Sequence, residues 1–194
     1  NQEAAGEACL RRVVAIQRHH HGDASQPVAI AINDVGIFHY HRSNYPKAMQ
    51  WWARALALNK KLHGPNHPEV AAVLNNQAAV HAARGKHQLA LKLLKRSHAI
   101  SLKAFGPDHI KLASSHHNLA ATYEKLAQYP RAIAGYRRAL AIEEKHLGPN
   151  HLNLASTLES LGTAWQDLGD LVKAEPLLKR AVRIKRKHLG DKHA

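Results

Sequence analysis

Five glycines, Gly22, Gly64, Gly106, Gly148 and Gly190, stand 42 residues apart along a chain of 194. Around three of them nearly the same phrase is written again: "LHGPNHPEVA" at 62–71, "AFGPDHIKLA" at 104–113 and "HLGPNHLNLA" at 146–155. Other positions keep the step. Ala48, Ala90, Ala132 and Ala174 form one column, Leu58, Ile100, Ile142 and Ile184 a second, and Arg12, Arg54, Arg96, Arg138 and Arg180 a third. A fixed period of this length is the mark of a solenoid, in which each unit buries its apolar face only by stacking on the next.

Inside one period the apolar spacing is helical. Val70, Leu74, Ala78 and Ala82 recur every fourth residue, and Leu91, Leu94, His98 and Leu102 mark a second helix. Asn66, Asp108 and Asn150 are expected to cap the first helix of a repeat, with Pro68 in its first turn. Gly85 and Gly169 close the turn inside a hairpin, and Gly64, Gly106 and Gly148 follow the second helix. Pro46 and Pro130 open second helices, whereas Pro176 is expected to kink or delay its helix. Alanine and glycine at 36, 78, 120 and 162 admit close helix approach, and Trp52, Leu94, Tyr136 and Leu178 fill the space between. His39, His81, Tyr123 and Trp165 fill a neighbouring column.

The fold class is therefore all-α, a solenoid of antiparallel helix hairpins. The expected organisation is one array over residues 1–194. A half-repeat at 2–22 precedes full repeats at 23–64, 65–106, 107–148 and 149–190, and the start of another linker lies at 191–194.

The segments "HNLAATYEKLAQYPRAIAGYRRALAIEEKHLGPNH" and "AEPLLKRAVRIKRKHLG" resemble the tetratricopeptide repeat (TPR) in its 42-residue, kinesin-light-chain-like form. That resemblance implies a right-handed superhelix whose first helices line a concave groove for a peptide or protein partner. Carried over column by column, the groove residues are Asn33, Asn75, His117 and Glu159; Ile30, Ala72, Ser114 and Ser156; Ile37, Ala79, Ala121 and Thr163; Tyr40, Ala82, Glu124 and Gln166; and His41, Ala83, Lys125 and Asp167. Of these, Ile30, Asn33, Ile37, Tyr40, Asn75, Ala79, His117, Lys125 and Glu159 are the expected peptide contacts. The near-neutral floor, with Lys125 its one cation, departs from TPR grooves that clamp a carboxylate terminus and from those that take acidic cargo. Asn76 and Asn118 are read as inter-helix hydrogen bonds.

The arginine column has two readings. Arg54, Arg96, Arg138 and Arg180 are taken first as structural groups that reach a carbonyl or carboxylate across the stack. The alternative is a basic outer stripe, with Lys95, Arg137 and Lys179, that binds nucleic acid or an acidic partner. Lys and Arg number 28 against 14 Asp and Glu, which favours acidic partners of some kind. Few aromatics are expected beside these cations, so platforms for single-stranded bases are lacking.

Seventeen histidines invite a metal reading. His67, His109, His151 and His193 fall one to a repeat, but stacked helices lie about 8–10 Å apart, too far to share a zinc held at about 2.1 Å. Linker packing or capping is their expected role, and no metal or cofactor is expected. Glu143 and Glu144 read as solvated helix charge. No constellation for catalysis stands out, and no apolar run spans a membrane. One cysteine, Cys9, fits a reducing compartment, so a cytoplasmic, non-enzymatic interaction scaffold is the leading expectation. A sensor array of a larger signalling protein is a further alternative, and oligomeric state is left open.

Overall fold

Residues 2–190 are described in a computed structural model of the chain. They form α1 (Gln2–His21), α2 (Gln26–His41), α3 (Tyr45–His63), α4 (Pro68–Ala83), α5 (His87–Phe105), α6 (Lys111–Lys125), α7 (Tyr129–Leu147), α8 (Leu154–Asp167) and α9 (Leu171–Leu189), with no strand among the described residues. The linker expected at 191–194, with His193, lies outside them. First helices run 14–16 residues and second helices α3, α5, α7 and α9 run 19. Both kinds alternate as the period requires.

The chain divides into two compact units, Asn1–Ile100 and Ser101–Ala194. In the first, Val28, Ile32, Val35, Trp52 and Val73 form one core, and Val70, Leu74 and Ile100 another. In the second, Tyr136, Leu154, Leu158, Leu161 and Ile184 gather around Ala120, Ala132 and Ala181. The small columns work by contact. A Cβ on Gly36 would stand 2.3 Å from Trp52 Nε1, and one on Gly162 would stand 2.7 Å from Leu178. With Gly36 bare, the Trp52 indole reaches the α2 backbone and donates to Asn33 O at 3.2 Å. Ala48, Ala90, Ala132 and Ala174 are buried throughout.

The chain turns where its backbone permits. Gly64, Gly148 and Gly190 end their helices at φ 80–85° and ψ 161–169°, a region open essentially to glycine alone. Inside the hairpins the left-handed position steps through Ser43, Gly85, Ala127 and Gly169, at φ 57°, 70°, 56° and 87°. Only the two glycines of that set are visible in the sequence as turn residues.

Three local expectations are corrected. Asn66, Asp108 and Asn150 do not cap the first helices. At α4 the following histidine does, His67 accepting from the Glu69 N–H at 3.3 Å. Its equivalents His109 and His151 accept in the linker turn from Lys111 and Asn153, each at 3.2 Å, while α6 and α8 start without a side-chain cap. Pro176 does not delay its helix, which begins at Leu171 behind the Asp170 side-chain cap and runs through the proline. Glu143 is not solvated. It is half-buried on α7, with Oε2 shut away from solvent.

Candidate partner-binding face

First helices expose the same register in every repeat. Ile30, Ala72, Ser114 and Ser156 are all exposed, as are His41, Ala83, Lys125 and Asp167. A helix presents one face every three to four residues, so these positions flank each first helix's half-buried columns.

In the first unit, α2 and α4 carry the face. Asn33 is already engaged: its Oδ1 accepts from Asn76 Nδ2 at 3.0 Å, and its amide donates to Asp34. Burial nonetheless holds the Asp34 carboxyl above its ordinary value. Asn75 and Ala79 are half-buried. Ile37 and Tyr40 pack onto the Trp52 core, with the Tyr40 ring 5.9 Å from Trp52 and 5.8 Å from Tyr45. Ile30 is different. It is 50% exposed and offers an apolar side chain beside Asn33 on the outer turn of α2.

In the second unit the corresponding face is polar and internally paired. His117 Nδ1 meets Thr157 Oγ1 at 3.3 Å, and its ring stands edge-on to Tyr136 at 5.1 Å. Burial lowers the His117 pKa and so keeps the ring neutral. Thr157 also donates to Glu143, but burial dominates there and pushes the carboxyl upward. The Tyr136 hydroxyl donates to Glu124 at 3.0 Å, and burial followed by that carboxylate raises its pKa strongly. Glu159 pairs with Lys185, and Lys125 stands exposed 3.9 Å from Glu124. His117, Thr157 and Glu143 thus form a polar set, buried at Thr157 and half-buried at the other two, that links α6, α8 and α7. Of the three, the sequence marks His117 alone as a contact residue. Thr157 and the Tyr136 hydroxyl carry no signal, because the periodic pattern reads both positions simply as core.

The arginine column divides. Arg138 donates to Pro107 O at 3.2 Å and to Asp108 at 2.6 Å, where Lys145 joins it. Arg180 donates to Pro149 O at 2.6 Å and pairs with Glu144 at 2.6 Å. Hydrogen bonds from Lys145 and then Arg138 hold Asp108 below the usual carboxylate range. His146 and His188 pin the same linkers through the carbonyls of Asp108 and Asn150. In the first unit Arg54 lies over Trp51 at 4.8 Å instead, and Arg96 is exposed. Asn118 O accepts from Thr122 within α6.

Of the stripe cations, Arg54 and Arg137 lie over tryptophan rings, and cations outside the stripe make further such contacts. Arg11 and Arg54 lie over Trp51, Arg42 over Phe38, Lys111 over Phe105, Arg131 over Tyr123, and Arg137 with Lys173 over Trp165. Most of these pairs join residues distant in sequence or one helical turn apart, so adjacency along the chain hides them.

Among the described residues no group of three His, Cys, Asp or Glu side chains converges on a point where an ion would sit, and no helix is long and apolar enough to cross a membrane. The tetratricopeptide repeat family model matches residues 27–103, 69–145 and 118–187. The chain belongs to the tetratricopeptide repeat family. Solved TPR-like structures agree with that fold. BtubC (BKLC) from P. vanneervenii superposes with a TM-score of 0.85 at 22% identity, over 98% of this chain and 76% of that one. The nearly identical TPR-like repeats of a Podosopora anserina putative kinesin light chain give 0.74 at 24%, over 97% and 89%. MamA from Desulfovibrio magneticus RS-1 gives 0.65 at 19%, over 94% and 87%. No curated protein sequence matches this one. At these identities the likeness is one of fold, and the TPR hairpins described above are what the chains share.

Proposed function

We propose that this TPR chain is a non-enzymatic interaction scaffold that holds an extended or helical segment of a partner protein on its first-helix face. Family membership supports a protein partner, and the resemblance to kinesin-light-chain-type repeats supports a cargo- or adaptor-binding role. The observation that carries the reading is the exposed position that recurs on each first helix, Ile30 and Ala72 in the first unit and Ser114 and Ser156 in the second. It is uncharged, small except at Ile30, and lies next to amides and imidazoles that the stack already holds in place. Pre-set side chains lose little entropy when a ligand arrives. A segment laid along α2 and α4 gains apolar contact from Ile30 and Ala79 and backbone hydrogen bonds from Asn75. The second unit's own first-helix face, on α6 and α8, presents the exposed Lys125 and a Glu159 already paired with Lys185.

Ile30→Asp combined with Ala72→Arg tests this reading without touching the core, since both positions are exposed. Pull-down followed by mass spectrometry is compared between wild type and the double variant. The expected result is loss of at least one stoichiometric partner, with an unchanged thermal midpoint. An identical set of partners sinks the assignment of this face.

A further inference from the structure

A second surface in the first unit has a different chemistry. A groove of about 330 Å³ between α1 and α3 is lined by Arg11, Val14, Ala15, Arg18, Trp51 and Arg54. Three of these lining residues are arginines. Arg11 and Arg54 lie over the Trp51 ring at 5.7 Å and 4.8 Å. Arg11 also pairs with Glu7 at 2.6 Å, and Arg18 approaches Asp23 at 3.4 Å. Arg54 is exposed and, among the described residues, has no carboxylate partner.

The internal repeat shows one way in which this place in the stack is closed. Glu144 on α7 and Arg180 on α9 form an ion pair at 2.6 Å. Counting back three periods of 42 residues, the same two lattice points are Arg18 on α1 and Arg54 on α3. The other steps hold Lys60 with Arg96, and Leu102 with Arg138. Where one repeat closes the position with opposite charges, α1 and α3 bring like charges to the rim of an open groove. Like charges in close approach cost stability unless an anion neutralises them. The planar guanidinium fork is matched to a tetrahedral oxyanion. Contact with the Trp51 ring holds Arg11 and Arg54 in place, and with Arg11 also paired to Glu7 it is Arg54 that has no carboxylate partner among the described residues.

We propose that the Arg11–Arg18–Arg54 groove is an anion site that takes a phosphoryl group carried on a protein partner, such as a phosphoserine in an acidic segment. A protein-borne phosphate fits better than a single-stranded nucleic acid. The groove's one aromatic ring, Trp51, already has Arg11 and Arg54 over it, so a stacking base would compete with these guanidiniums. The site lies on second helices and is separate from the first-helix face proposed above, so either can fail without the other.

The decisive variant is Arg18→Glu, which rebuilds the Glu144–Arg180 arrangement at this place and therefore preserves the fold. Fluorescence anisotropy on the full chain compares a labelled acidic peptide with one phosphoserine, its unphosphorylated twin and a labelled oligouridylate. The phosphopeptide is expected to bind at least tenfold more tightly than its twin and the oligouridylate, and to lose at least tenfold in Arg18→Glu. In parallel, inorganic phosphate at constant ionic strength raises the thermal midpoint of wild type more than that of the variant. Equal binding of the twin peptides, equal or tighter binding of the oligouridylate, or a phosphate response untouched by Arg18→Glu overturns the proposal.

Discussion

Ala127 shows how much a single position can be asked to bear. It occupies φ 56° at the turn between α6 and α7, where the in-phase residues Gly85 and Gly169 sit at φ 70° and 87°. An L-residue with a Cβ is strained there by about 1–2 kcal/mol, and glycine relieves that strain while losing some unfolded-state entropy. Ala127→Gly is therefore expected to stabilise the chain by about 0.5–1 kcal/mol, read as a higher urea midpoint at unchanged slope. Gly148→Ala runs the other way. Its φ of 84° with ψ of 161° lies where a Cβ is strained, and a loss of about 1–3 kcal/mol is expected in the same measurement. Equal midpoints for the two variants would contradict the turn geometry. The glycines at these turns were legible from the sequence, since only glycine signals a positive φ. Ser43 and Ala127 were not, because their conformation is imposed by the hairpin and leaves no mark in composition.

Between helices, the decisive contacts are ones that no periodic pattern encodes. Column spacing correctly paired small with large residues, as at Gly36 and Trp52, because steric fit repeats with the period. It read Glu143 as solvated, because a carboxylate on α7 looks the same in sequence whether it faces water or α8. Burial dominates at Glu143 and raises its pKa, with the Thr157 hydrogen bond opposing and Glu144 adding to the shift. A native state that binds this proton more tightly than the unfolded chain loses stability as pH rises through the folded pKa. Ionising the group thus burdens the packing of α7 on α8. Glu143→Gln is expected to raise stability at pH 7.5 by about 1 kcal/mol and to gain progressively less on acidification. A variant less stable than wild type at pH 7.5 would show that the carboxylate is a satisfied part of the α6–α8 network. The capping histidine of α4 teaches the same lesson. Its position in the linker was plain, but the choice of His67 over Asn66 depends on which side chain the turn directs at the free N–H of Glu69.

Across the whole molecule, histidine sets the response to acid. His81 is kept below its usual pKa by burial and then by Lys86 and Arg84, and His98 and His117 by burial alone. Each is a base that the folded state holds neutral and the unfolded chain protonates from about pH 6.5 downward. The unfolded state therefore binds more protons in that window, and stability falls as pH falls through it. The formal charge is already +14 with histidine neutral, and 17 histidines add to it on acidification, so self-repulsion acts in the same direction. Glu143 opposes the trend, and lowering the pH relieves it. Because a repeat array sums intrinsic and nearest-neighbour terms, loss at these three sites appears as reduced stability of the packing around each one. Urea melts at pH 7.5 and 5.5 are expected to show a lower midpoint at the acid value. His98→Leu, which removes one half-buried titrating ring, should narrow the gap between the two midpoints. A midpoint independent of pH in wild type would mean that these imidazoles are as well solvated in the folded chain as in the unfolded one.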